Sequence, residues 1–158
     1  MTAPILVLSW GNPSRGDDAL GPLFGERIAA MQIPGVECLT DFQLQVEHAL
    51  DLEGRQLVLF VDASLDAKPP FAIRQLAPAA GADFSTHVLA PEAVLQVHAE
   101  LHDNPPPPAL LLEIRGEAFD LGSGLSTVAW NNLDSACDWT RHWLSENNRL
   151  ACQPFASH

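Results

Sequence analysis

The chain has 158 residues, 47% of them apolar, and a formal net charge of −12. That length suits one domain with one core, and the excess of carboxylates disfavours nucleic acid and anionic membrane as partners, because both would repel it. No apolar run reaches the length of a membrane span and no basic, cleavable leader opens the chain, so a soluble protein of the cytoplasm is expected.

Residues 5–10 form an apolar run short enough for a strand buried on both faces. The run breaks at Gly11-Asn12-Pro13-Ser14-Arg15-Gly16, and two adjacent carboxylates follow, Asp17 and Asp18. The glycine spacing is that of a phosphate loop, which would continue with Lys and Ser/Thr. Each carboxylate set about 4 Å from a phosphate would cost roughly 4 kcal/mol at an effective dielectric near 20. The loop therefore argues for a cation and against a nucleotide. The plainer reading is that one aspartate only caps the next helix.

That helix is expected over 19–31, where Leu20, Leu23, Phe24, Ile28 and Met31 recur at helical spacing. A short strand over 36–40 follows, then Phe42-Gln43-Leu44-Gln45 and a helix over 46–53. Gln43 and Gln45 are candidate substrate contacts, since a primary amide both donates to and accepts from a peptide backbone. Solvated helix-start glutamines are the simpler alternative. Residues 56–63 hold a second central strand with Asp62 near its carboxyl end, where a carboxylate is costly unless solvated, paired or metal-bound. An edge strand is expected over 71–76. His87 lies in a loop before a helix over 91–102.

Within that helix, His98-Ala99-Glu100-Leu101-His102 lacks the Glu that H-E-x-x-H requires, and it reads as an exposed face. Pro105 to Pro108 make a stiff connector to a last strand over 109–114. The turn 122–126 launches a final helix, with Ser123 or Ser126 as its cap and Val128, Trp130, Leu133, Cys137, Trp139, Trp143 and Leu144 as its apolar face. Residues 1–146 form a single domain and 147–158 a frayed tail. Cys38, Cys137 and Cys152 make no C-x-x-C pair, which leaves out a zinc ribbon and a redox dithiol.

The alternation implies an α/β fold: a three-layer, doubly wound sheet of about five strands, mostly parallel with one edge strand, helices on both faces. Right-handed crossovers bring Asp18 and Asp62 to one rim, with His87 as a candidate third member.

The segment 5–21, Val61-Asp62-Ala63, Ser85-Thr86-His87 and the turn 122–126 together resemble the hydrogenase maturation endopeptidases. The resemblance implies an endopeptidase that removes the C-terminal extension of the nickel–iron hydrogenase large-subunit precursor once nickel is in place. It implies that Asp18, Asp62 and His87 are the catalytic and metal-contacting residues. They would meet the nickel carried by the precursor, or another divalent metal. The second loop departs from the family, because Phe42-Gln43-Leu44-Gln45 stands where many members carry Gly-Thr. The runs 43–47 and 114–117 look more like the branch serving soluble, NAD-reducing hydrogenases. The rival readings are a non-catalytic, metal-binding hydrogenase assembly module and a nucleotide-binding hydrolase.

Overall fold

The computed structural model describes residues 2–79 and 89–152, with the backbone alone over 149–152. Five strands form one sheet: β1 (Ile5–Trp10), β2 (Val36–Asp41), β3 (Leu57–Ser64), β4 (Phe71–Leu76) and β5 (Ala109–Arg115). Their order is β2-β1-β3-β5-β4. The first four in that row are parallel, and β4 pairs antiparallel with β5 at the edge. This is the expected α/β architecture.

Strands buried on both faces need apolar residues at every position. Ile5, Val7, Leu59, Val61, Leu112 and Ile114 pack on α1 (Leu20–Ala30) and α3 (Thr127–Cys152). Leu6, Leu8, Val58, Phe60 and Leu111 face the other way, toward α2 (Pro91–His102) and a 3-10 turn at Val46–Leu52. From β1 the chain runs to β2 at one edge, then crosses back over β1 to β3. The crevice between the carboxyl ends of β1 and β3 is thus the switch point at which open α/β sheets bind ligands.

Five expectations change in detail. The first helix is preceded by a separate 3-10 turn, Gly16–Ala19, and the second helical segment is a 3-10 turn throughout. Val128 and Trp130 are exposed, at 42% and 43%. The buried face of α3 instead carries Ala129, Leu133, Ala136, Cys137 and Leu144. Trp130 lies about 100° of helical turn from Ala129, and the Arg27 guanidinium covers it at 5.7 Å from the ring centroid.

The last helix also continues through Cys152, past the expected start of a tail at 147. Nothing from Asn147 to Cys152 interrupts it, and the Asn147 side chain donates to the Trp143 carbonyl one turn back at 2.8 Å. Finally, His98 is only 6% exposed, so the His98–His102 face points inward. It lies against the segment before β3, which carries Ala49 and Leu52.

Candidate functional site

The loop after β1 is a chain of local bonds. The Asn12 side chain accepts the Ser14 N–H at 2.9 Å, and the Asn12 carbonyl accepts the Arg15 N–H at 3.1 Å. The 3-10 turn then sends the two neighbouring aspartates in different directions.

Asp17 is fully buried. Its Oδ2 accepts the backbone N–H groups of Glu117 and Ala118 at 2.8 and 3.1 Å and the Ser126 hydroxyl at 2.8 Å. Its Oδ1 accepts the Ser126 N–H at 2.8 Å. Burial alone would push this carboxyl up, but the four donors outweigh it and hold it below the ordinary carboxylate value. Asp17 thus ties the first loop to the end of β5 and the start of α3. Ser126 is the α3 cap, its hydroxyl accepting the Ala129 N–H at 3.2 Å. Neither aspartate makes a side-chain cap bond to its own turn or to α1.

Asp18 faces the crevice, where its Oδ2 accepts the Asn12 N–H at 2.7 Å. Two glycines permit this fold of the loop. A Cβ on Gly11 would lie 2.1 Å from the Asp18 carbonyl oxygen. Gly16 has φ +54°, and a Cβ there would lie 2.3 Å from the Ala118 carbonyl oxygen. Gly16→Ala is therefore expected to cost about 2–3 kcal/mol, combining left-handed strain with a backbone clash. A urea midpoint equal to that of the parent chain would contradict it.

Asp62 sits on β3 beside Glu113 of β5, on the same sheet face as Phe60. Its carboxyl is pushed up to about 7, first by burial and then by the neighbouring Asp18 and Glu113 carboxylates. The Ala63 N–H, 2.8 Å from its Oδ1, opposes the rise only in part. Asp18 and Asp62 line one cavity of about 360 Å³, together with Arg15, Gln43, Trp10 and Phe42. Two carboxylates share that cavity, and the Asp62 value is raised chiefly by burial, with the Asp18 carboxylate adding to it. A cation in the cavity would lower it.

Gln43 lines the cavity, whereas Gln45 does not. Gln45 instead caps the 3-10 turn, its side chain accepting the His48 backbone N–H. The His48 ring completes this clasp. Nδ1 accepts the Gln45 N–H at 2.8 Å, so Nε2 carries the proton and donates to Asp41 at 3.1 Å. The clasp holds the wall formed by Phe42, Gln43 and Leu44. His87 lies outside the described residues, and among those described no three His, Cys, Asp or Glu side chains form a metal-holding group. Asp18 and Asp62 are the carboxylates among the cavity's described lining residues.

Sequence reasoning assigned no role to Arg15. It is the cation among the cavity's described lining residues, held by a bond from its Nε to the Phe119 carbonyl at 3.1 Å. Its position beside the aspartate pair was the available signal. Cys38 and Cys137 are free, but burial pushes both thiols up to about 11, so neither is an activated nucleophile.

No protein-family model and no curated protein sequence matches this chain. Solved structures do. The NiFe hydrogenase maturation protease HycI from Thermococcus kodakarensis KOD1 superposes with a TM-score of 0.70 at 23% identity, covering 90% of this chain and 93% of that one. The hydrogenase maturating endopeptidase HybD from E. coli gives 0.69 at 22% identity, with the same two coverages. The hydrogenase 2 maturation peptidase from Thaumarchaeota archaeon SCGC_AB-539-E09 gives 0.66 at 22%, over 89% and 97%. Over nearly its whole length, this chain has the fold of the hydrogenase maturation peptidases.

Proposed function

We propose that the chain is an endopeptidase of hydrogenase maturation, cutting the C-terminal extension from the nickel-carrying precursor of a nickel–iron hydrogenase large subunit. The observation that carries this reading is the pairing of Asp18 and Asp62 in one open cavity at the switch point of a sheet shared with such peptidases. His87 is the proposed third contact. Leu89, two residues further on, lines the same cavity, which supports that placement.

In this reading Asp18, Asp62 and His87 meet the nickel of the substrate and so sense that insertion is complete. Bound nickel would supply Lewis acidity at the scissile carbonyl. A carboxylate of the pair, with Asp62 the stronger base, takes a proton from the attacking water and returns it to the leaving amine. Gln43 aligns the substrate backbone, and Trp10 and Phe42 form the apolar walls. The proposed place of action is the cytoplasm. Among the described residues no helix is long and apolar enough to cross a membrane. The proposed substrate class is the soluble, NAD-reducing hydrogenase.

The test is incubation with nickel-loaded and nickel-free precursors from several hydrogenase classes, followed by mass spectrometry. The loaded precursor should lose its C-terminal segment and the unloaded one should stay intact. Equal rates would remove nickel sensing. No mass change with any precursor would favour the rival reading, a non-catalytic assembly module.

A further inference from the structure

A second cavity, of about 240 Å³, opens at the amino ends of the strands, far along the fold from Asp18 and Asp62. It lies between the segment that precedes β3 (Leu52, Glu53, Arg55) and the end of α2 (His98, His102) with Asn104. His98 and His102 are four residues apart on one helix and so share a face. Their ring centroids are 4.5 Å apart.

The hydrogen bond of one ring fixes where its lone pair lies, and the other ring has a nitrogen without a partner. The Nδ1 of His98 lies 3.3 Å from the Ala49 carbonyl oxygen, which can only accept, so Nδ1 carries the proton and Nε2 the lone pair. An imidazole whose far N–H is held by a backbone carbonyl is the usual state of a metal-ligating histidine. The Nε2 of His102 is buried and has no hydrogen-bond partner among the described residues. Such an orphaned nitrogen, on a residue that lines a cavity, calls for a partner.

The surroundings tolerate positive charge. Arg55, the cation in the cleft wall, is already neutralised by Glu37 at 2.6 Å and also donates to the Ala3 and Asp51 carbonyls. Glu53 adds a carboxylate to the rim.

We propose that His98 and His102 form a metal site, a two-imidazole chelate for a borderline divalent ion such as Zn²⁺ or Ni²⁺. No third His, Cys, Asp or Glu joins them in ligand geometry among the described residues, so water completes the coordination. The site is independent of the peptidase reading and lies outside its cavity.

The experiment titrates Zn²⁺ into the full chain carrying Asp18→Asn and Asp62→Asn, which removes the cavity carboxylates, near neutral pH. Calorimetry should report a binding event that disappears on adding His102→Gln. At hundred-fold excess over Kd the ion should raise Tm by about 5 °C or more, and the added substitution should abolish the rise. Mg²⁺, which prefers oxygen ligands, should give no shift. Cu²⁺ as a spectroscopic probe should show coupling to two imidazole nitrogens, reduced by His102→Gln. His102 is the position to vary because the more deeply buried His98 also supports packing. Unchanged Zn²⁺ binding in the His102→Gln chain, or no binding before that change, would overturn the proposal.

Discussion

Asp62→Asn is expected to raise the melting temperature near pH 8 and, if the proposed endopeptidase reading holds, to abolish cleavage. The folded carboxyl titrates at about 7 against an ordinary 3.8. Folding therefore favours its protonated form. As pH rises from about 4, the unfolded chain gives up this proton first, and the fold loses stability until the folded group has also ionised at about 7. Above that point the penalty is complete, up to about 4 kcal/mol at roughly 1.36 kcal/mol per unit. Below pH 4 it vanishes.

Asparagine keeps an oxygen for the Ala63 N–H and removes the charge. The variant should gain several degrees in Tm near pH 8 and nothing near pH 4. Such an exchange of stability for chemistry is expected where a site holds charge it cannot neutralise alone. If Tm against pH is the same for the variant and the parent, Asp62 is not the strained group described here. If cleavage persists, it is not the base.

Asp17→Ala is expected to do the opposite, weakening the fold by about 3–5 kcal/mol. The substitution leaves three backbone N–H groups and a hydroxyl, all partly buried, without the fully buried carboxylate that accepts them. For a chain of this size the loss corresponds to a fall in Tm of roughly 10 °C. The pH dependence is also reversed. Because the folded Asp17 carboxyl is held low, its contribution is present above the unfolded value and is lost as acid titrates the folded group. Chemical denaturation at neutral pH measures the effect. A loss under 1 kcal/mol would show that the four bonds are replaced by water.

Much of this molecule could be read without coordinates. The strands were visible because β1, β3 and β5 are apolar at nearly every inner position, which only a strand covered on both sides requires. The meeting of Asp18 with Asp62 followed from handedness, since right-handed crossovers make the loops after β1 and β3 neighbours. The division of labour between Asp17 and Asp18 did not follow. It depends on the short 3-10 turn and on donors from 117–126, a hundred residues away. Gln45 looked like Gln43 until the turn claimed its side chain. His98 sat on what read as a wet helix face, because the cover over it comes from an element, Val46–Leu52, whose packing no local pattern announces.

The clasp between Asp17 and Ser126 also bears on when the fold can be completed. Its two halves are separated by most of the polypeptide, so a nascent chain still short of residue 126 cannot close the rim, even with β1, β2 and β3 already emerged from the ribosome. The tie can form only once the first turn of α3 has been made, and any fragment ending before that point lacks it.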